Sequence, residues 1–145
     1  MSEATTITIS RSVPVPPERA FAAWVDPEEL AQWWWPQWPD TTYDLDVRAG
    51  GHYRMHSAAA GFGVTGELTV VEPPHRLAMT WIWTTGAEPT AADDAVADLV
   101  EVTFEPDGPG TRVNVRHTST EHVAEGGAEQ GWNDVMDRLP PHLSR

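Results

Sequence analysis

The sequence predicts an α+β domain in which a curved antiparallel sheet wraps around a carboxy-terminal helix, with two short helices after the first strand. Three observations support this fold class. An alternating strand pattern opens the chain, two short helical patterns follow it, and from Thr42 onward strand patterns alternate with turns until a final helical stripe. At 145 residues the chain fits a single domain, and no repeat or composition boundary divides residues 1–145.

The first strand is predicted over Thr5 to Val13, where Ile7 and Ile9 share one face. A run of prolines that reaches Pro17 ends this strand and suits the first turn of a short helix. The inward stripe of the helix consists of Phe21, Trp24 and Val25.

A second short helix is predicted directly after the first. Asp26 is a suitable N-cap, Pro27 suits the first helical position, and Glu29 follows three residues after the cap. Pro36 marks its end. The inward residues of this helix are Leu30, Trp33 and Trp34.

Six further strands are predicted after Thr42, and the links between them are rich in glycine and proline. Short links of this kind join neighbouring strands in an antiparallel meander. The predicted strands are Tyr43 to Val47, His52 to Ser57, Val64 to Glu72, Arg76 to Thr84, Asp98 to Glu105 and Thr111 to Ser119.

The last helix is predicted from Val123 to Leu143. Pro140 and Pro141 lie near its end. Because proline lacks a backbone donor and clashes with the preceding turn, we expect the helix to end or kink near Leu139. The apolar stripe consists of Trp132, Val135, Met136, Leu139 and Leu143.

Composition excludes several classes of function. The formal net charge is −13, so the chain repels phosphate backbones and no nucleic-acid partner is expected. Lysine and cysteine are both absent, which excludes Schiff-base and thiol chemistry. No apolar run approaches the ~20 residues that span a bilayer, and the amino terminus lacks a signal-peptide pattern. We therefore expect a cytoplasmic protein without a membrane partner.

His52 and His56 are the clearest candidates for a metal site, because two histidines four residues apart on a helix can bind zinc. On a strand, however, their side chains stand about 13 Å apart. No phosphate-binding loop or nucleophile motif is present either. We therefore expect no metal and no cofactor.

Strand alternation predicts which side chains face the concave side of the sheet. His117 lies among these otherwise apolar positions, and its imidazole suits proton transfer near neutral pH, with Tyr53 as a second polar group. The alternative is a structural histidine held by hydrogen bonds. The predicted ligand-binding residues are Tyr53, Met55, Trp81, Trp83, His117, Trp132 and Met136. The tryptophans of this set either line a cavity or fill it.

Five of the eight tryptophans lie between Trp24 and Trp38. Trp24 and one of Trp33 and Trp34 are predicted core residues, since one face of each short helix accounts for them. Trp35 and Trp38 follow the second helix in a loop beside prolines, outside any continuous core. We predict that these two form the rim of the cavity or a contact surface for another chain, such as a second copy of the protein.

Five segments, in order over roughly residues 5 to 139, resemble signature segments of bacterial proteins similar to the carboxy-terminal domain of the activator of heat shock protein 90 ATPase. They are DPEELAQWWWP, DVRAGGHYRM, GELTVVEPPHRLAMTW, VEVTFEPDGPGTRVNVRHTS and GWNDVMDRL. The resemblance implies the helix-grip fold of the START-like or SRPBCC superfamily, whose members hold hydrophobic ligands between the sheet and the terminal helix. It supplies no catalytic residue, and fold alone does not determine activity.

These observations leave three hypotheses for the function. The leading one is that the chain binds a small hydrophobic or aromatic molecule in a cavity between the sheet and the last helix. The first alternative is an enzyme, a polyketide cyclase or another proton-transfer catalyst that uses His117 and Tyr53. The second alternative is a co-chaperone whose partner is a chaperone ATPase of the heat shock protein 90 type, and it rests on the resemblance alone.

Overall fold

In a computed structural model of the chain, the described residues are 5–85, 97–119 and 127–144. Seven strands and three helices occupy this part of the chain. In order they are β1 (Thr5–Val13), α1 (Pro17–Val25), α2 (Pro27–Trp33), β2 (Thr42–Leu45), β3 (His52–Ser57), β4 (Phe62–Glu72), β5 (Arg76–Thr85), β6 (Asp98–Asp107), β7 (Gly110–Ser119) and α3 (Gly127–Leu143). Residues 123–126, where the last helix was expected to begin, lie outside the described residues.

The seven strands form one antiparallel sheet in the order β1-β7-β6-β5-β4-β3-β2. The first strand lies beside the last, with Thr5 opposite Ser119 and Val13 opposite Thr111. Strands β2 to β7 follow one another as the predicted meander. The predicted fold class, with two short helices after the first strand and a helix at the end, is confirmed.

A bulge in β4 helps to curl this sheet. The register of β4 against β5 shifts between Leu68 and Val70, and an extra residue at such a point bends a strand and increases its twist. The backbone of Leu68 also accepts a hydrogen bond from Gly50 at 2.8 Å and donates one to Gly51 at 2.7 Å. The turn before β3 is thereby held against the bent strand.

Local sequence signals specify the two short helices, and a buried indole packs one against the other. The Asp26 carboxylate accepts a hydrogen bond from the backbone N–H of Glu28 at 2.9 Å, which confirms the predicted N-cap of α2. Trp33 is fully buried, and its indole N–H donates to the carbonyl of Ala23 in α1 at 3.0 Å. The other predicted inward residues of this segment, Leu30 and Trp34, are buried as well.

The last helix runs to Leu143, as its apolar stripe predicts, so it does not end near Leu139, whereas a kink at that point stays a prediction. Pro140 and Pro141 lie in its last turn, where they remove only their own backbone donors. Leu139 and Leu143 are buried on either side of the pair, and the apolar surface that they bury offsets the lost hydrogen bonds. Ser144 also donates its hydroxyl to the carbonyl of Pro140 at 2.7 Å.

The core lies on the concave face of the sheet. Along β6 and β7 the inward residues predicted by alternation are buried, and the intervening residues are half-buried or exposed. Among the helices of the described residues, none is long and apolar enough to cross a membrane.

A partly buried ionic cluster joins the three helices. Glu29 of α2 lies 2.8 Å from a guanidinium nitrogen of Arg19 in α1 and 2.9 Å from the Nε2 atom of His142 in α3. Burial by itself raises the pKa of the Glu29 carboxyl group, but the hydrogen bonds from Arg19 and His142 outweigh burial and lower that pKa. The ionised carboxylate therefore stabilises the packing of the helices.

Replacing Glu29 with glutamine is expected to lower the free energy of unfolding at pH 7 by about 1–2 kcal/mol. Because the folded-state pKa of Glu29 lies below its unfolded-state value of about 4.3, this stabilisation is complete above that value and is lost as the pH falls through the folded-state pKa. Urea unfolding of both proteins between pH 7 and pH 3 measures the difference.

Glu28→Gln is the matched control, because Glu28 is exposed on the same helix. It should change the free energy of unfolding by no more than about 0.5 kcal/mol. A Glu29→Gln deficit that stays constant down to pH 3 contradicts the role assigned to the carboxylate.

Candidate functional site

A cavity of about 210 Å³ lies between the end of α2, the strands β4 and β5, and the helix α3. Most of its lining is aromatic, with a few polar groups among the rings. The lining residues are Trp34, Trp35, Gln37, Trp38, Phe62, Trp81, Trp83, Gly131, Trp132, Asp134, Val135 and Arg138. An apolar cavity with few polar groups is the usual form of a small-molecule site.

One wall of the cavity consists of rings contributed by three different elements. Trp34 follows α2, Trp81 belongs to β5, and Trp132 belongs to α3. The rings of Trp34 and Trp132 are perpendicular at 5.5 Å between centroids, and Trp81 lies 5.2 Å from Trp132. Such edge-to-face and tilted pairs are favourable contacts, so the wall is well packed although it encloses free space.

The opposite wall comes from the loop after α2 and from the start of β4. Trp35, Trp38 and Phe62 are in mutual contact, with centroid separations between 5.0 and 5.5 Å. Phe62 also lies 6.1 Å from Trp83 across the sheet. The rings of this wall therefore connect the loop to the strands.

The expectation that Trp35 lies outside the core is wrong, because its side chain is only 6% exposed. The loop tolerates burial since its backbone groups find partners. The N–H of Trp35 donates to the Tyr43 hydroxyl at 3.1 Å, the N–H of Trp38 donates to the carbonyl of Trp35, and the N–H of Thr41 donates to that of Trp38. Trp38 itself is half-buried.

Trp83 occupies the position at the mouth that was expected of Trp35. It lines the cavity on the same side of β5 as Trp81, as alternation predicts, but it is 43% exposed. Trp81 is only 3% exposed. The difference arises because Trp83 lies near the end of β5, so its outer face meets solvent.

Three of the seven predicted ligand-binding residues line this cavity, namely Trp81, Trp83 and Trp132. Tyr53 and Met55 border a separate void of about 20 Å³. The Tyr53 hydroxyl donates to the carbonyl of Thr80 at 2.6 Å, and burial raises its pKa. Met136 is completely buried and lies outside the lining.

His117 lies behind the cavity wall and is 1% exposed. Its Nδ1 atom accepts a hydrogen bond from the indole N–H of Trp132 at 2.9 Å. The Nε2 atom therefore carries the ring proton of the neutral tautomer and donates it to the Asp98 carboxyl group at 2.8 Å. Both ring nitrogens are engaged, so the geometry makes His117 a residue that positions Trp132.

Asp98 is a partner of His117 that the sequence analysis did not identify. Its position alternates with the inward residues Val100 and Val102, and it lies directly opposite Trp81 in the neighbouring strand. A carboxyl group on the inward face of a strand requires a buried donor. The alternation of β6 is therefore a sequence signal that Asp98 needs a buried donor, and His117 of β7 is that donor.

The sequence analysis also missed Gly131 and Arg138, both on α3. A Cβ atom at Gly131 would have no atom within 4 Å, so backbone crowding does not require glycine there. Arg138 donates to the carbonyls of Trp33 and Trp34 at 2.9 and 2.5 Å and thereby satisfies carbonyl groups that the end of α2 leaves open. Neither residue belongs to the apolar stripe from which the helix was predicted.

In the described ranges, no group of three or more histidine, aspartate or glutamate side chains is arranged to hold a metal ion. His52 is exposed, whereas His56, which pairs with Gly63 across the sheet, is buried. The chemistry available at the cavity is therefore that of aromatic rings, one guanidinium, one carboxylate and one side-chain amide.

Comparison with known proteins agrees with this architecture. The family model of the activator of Hsp90 ATPase homolog 1-like protein matches residues 14–144. No curated protein gives a significant match to the chain.

Solved structures with this fold come from several bacteria. A protein from Rhizobium leguminosarum is 27% identical over 100% of this chain and 97% of its own, with a TM-score of 0.81. CalU16 from Micromonospora echinospora is 24% identical over 98% of this chain and 78% of its own, with a TM-score of 0.71. DynU16, from the dynemicin biosynthetic locus, is 22% identical with a TM-score of 0.76, and the match covers 96% of this chain and 47% of that one.

Replacing His117 with leucine is expected to lower the free energy of unfolding by about 3 kcal/mol, because the Trp132 N–H and the Asp98 carboxyl group both lose a buried partner. Asp98→Asn retains an acceptor for the histidine and should cost about 1 kcal/mol. Urea unfolding followed by circular dichroism measures both values. A His117→Leu protein as stable as wild type contradicts this assignment.

Proposed function

This chain belongs to the family of activator of Hsp90 ATPase homolog 1-like proteins, and from that premise we propose that it binds one small aromatic molecule in the tryptophan-lined cavity. The observation that carries the proposal is a space of about 210 Å³ lined by rings from the loop after α2, from β4 and β5, and from α3. A flat ring inserted there meets aromatic surfaces from several directions. Binding then buries apolar area of both partners.

The volume of the cavity limits the size of the ligand. A dry apolar cavity of about 150 Å³ in another protein holds benzene, whereas drug-sized ligands use about 300–1,000 Å³. A cavity of about 210 Å³ therefore suits one ring or two fused rings. Larger substituents would extend past Trp83, which is exposed at the mouth.

Gly131 supports a mouth that stays open. A glycine within a helix costs about 1 kcal/mol relative to alanine. Elsewhere the fold requires glycine, since an added Cβ would lie 2.1 Å from the Thr80 carbonyl oxygen at Gly66 and 2.2 Å from the Val13 carbonyl oxygen at Gly110. At Gly131 it would meet nothing within 4 Å. Packing therefore does not require glycine at this position, and a larger side chain would project beside the cavity.

The alternative of proton-transfer catalysis by Tyr53 and His117 receives no support from this geometry. Neither side chain lines the cavity, and each is occupied by a buried hydrogen bond. Stimulation of a chaperone ATPase rests on family membership alone. Aromatic ligand binding is the function that the observed contacts favour.

Wild-type protein titrated with 2-naphthamide or 2-naphthoate in a calorimeter should give saturable binding with one site per chain. Ligands of this size bind with a Kd of roughly 10 μM to 1 mM. Gly131→Phe should weaken binding at least tenfold, because the ring enters the mouth.

Gly131→Ala is the matched control, because it adds only a methyl group in open space. It should retain affinity within about threefold and raise the free energy of unfolding by about 1 kcal/mol. The proposal is rejected if neither naphthyl compound binds, or if Gly131→Phe binds both as well as wild type does.

A further inference from the structure

We propose that the aromatic ligand carries a carboxylate, which Arg138 binds at the mouth of the cavity while the ring lies among the tryptophans. This inference rests on the proposed function and specifies the class of ligand. It draws on two features: the hydrogen bonds and burial of the Arg138 guanidinium, and the charged groups around the cavity.

Arg138 has donors left for a ligand. Its Nε and one terminal nitrogen donate to the carbonyls of Trp33 and Trp34, which fixes the plane of the guanidinium. The other terminal nitrogen makes no hydrogen bond within the described residues, and no carboxylate of those residues lies within 4.0 Å. A planar guanidinium held in this way is suited to bind a carboxylate.

The lack of a carboxylate partner is unusual for this acidic chain. Carboxyl residues outnumber basic ones by 22 to 9. Five other arginines in the described ranges pair with an acidic side chain, namely Arg11, Arg19, Arg48, Arg54 and Arg76. Arg112 and Arg116 are exposed to water, whereas Arg138 is half-buried against the cavity.

Burial makes the charged form of the Arg138 guanidinium less favourable. Desolvation lowers the pKa of its guanidinium, and the carboxylates of Asp134 and Asp137 only partly oppose this effect. The guanidinium stays charged at neutral pH because its pKa is intrinsically so high. An anionic group from a ligand would therefore compensate a charge that the protein itself leaves poorly solvated.

Two further donors of the cavity wall have no acceptor. The indole nitrogens of Trp34 and Trp81 are buried and without a hydrogen-bond partner in the described part of the chain. Both residues line the cavity. Both nitrogens are buried away from the free space of the cavity, so they take no part in the proposed contact with a carboxylate.

The lining also contains one carboxylate, which is partly engaged. Asp134 is exposed, and its Oδ1 atom accepts a hydrogen bond from Gln130 at 2.9 Å. An aromatic wall can also attract a cation, but Arg138 in the same lining repels one. The half-buried Arg138 guanidinium is therefore the group of the lining that favours an anion, and the exposed Asp134 carboxylate opposes it.

Three probes with one ring system test the charge: 2-naphthoate, 2-naphthamide and 2-naphthylmethylammonium at pH 7. Wild-type protein should bind the carboxylate at least tenfold more tightly than the amide, and the ammonium most weakly. Equal affinities for carboxylate and amide, or a preference for the ammonium, would overturn the inference while leaving aromatic ligand binding intact. Failure of all three to bind would instead remove the proposed function itself.

Variants identify the group responsible. Arg138→Gln should weaken the binding of 2-naphthoate at least tenfold and that of 2-naphthamide less than threefold. Arg138→Lys should retain part of the preference for the carboxylate. Asp134→Asn should strengthen 2-naphthoate by about two- to threefold, because one repelling charge is removed. Arg116→Gln is the control for binding to an exposed arginine, and it should leave the affinities for all three probes unchanged.

Circular dichroism establishes that each variant is folded. If Arg138→Gln does not fold because α2 loses its contacts, the comparison of the three probes on wild type and on Arg138→Lys decides the question. A folded Arg138→Gln protein that keeps the full preference for 2-naphthoate contradicts the inference.

Discussion

The position of the last helix depends on a short chain of buried hydrogen bonds from Asp98 through His117 to the indole of Trp132. It joins β6 and β7 to α3 across the core. Another polar link between α3 and the sheet, from Arg11 to Asn133 and Asp137, lies toward the surface, where an ion pair contributes little. Apolar packing alone lets a ring slide or rotate, whereas a hydrogen bond to the indole N–H fixes its orientation. The face that Trp132 presents to the cavity follows from this bond.

The cavity persists because rigid rings that brace one another surround it. Trp34 contacts Trp24, Trp33, Trp81 and Trp132, at centroid separations between 5.5 and 6.2 Å and mostly at steep angles. An indole has two side-chain torsions and cannot fold into a neighbouring gap as a methionine can. Closing the space would require several rings to leave these favourable contacts together. A concentration of tryptophans therefore produces both the core and the space beside it.

The sequence predicts the elements well because their signals are local. Alternation and helical spacing identify β5, β7 and the stripe of α3, and hence Trp81 and Trp132, without knowledge of the fold. Alternation assigns a face but no position along a curved strand, so it groups Tyr53 with Trp81 although only Trp81 lines the cavity. The apolar stripe predicts the end of α3 at Leu143, whereas the proline pair predicts an end or kink near Leu139, and the burial of Leu143, a tertiary effect, outweighs the local proline penalty. Arg138 lies outside the apolar stripe, where no periodicity distinguishes a cavity mouth from solvent.

Several local departures from favourable chemistry belong to residues of the cavity lining. A helical glycine with open space around it, two indole N–H groups without acceptors, and a half-buried guanidinium without a carboxylate all lie in the lining of the same cavity. The Arg138 guanidinium supports the fold through the carbonyls of Trp33 and Trp34 but keeps one terminal nitrogen without a partner in the described residues, and a flat molecule that carries a carboxylate would supply that partner. Sequences are usually consistent across levels of structure, and exceptions gather at functional sites. Within the described ranges, buried polar atoms without partners also occur away from the cavity, at Trp24, Thr84 and His142, so the argument for ligand binding rests on Gly131, Arg138 and the volume of the cavity rather than on the indole nitrogens.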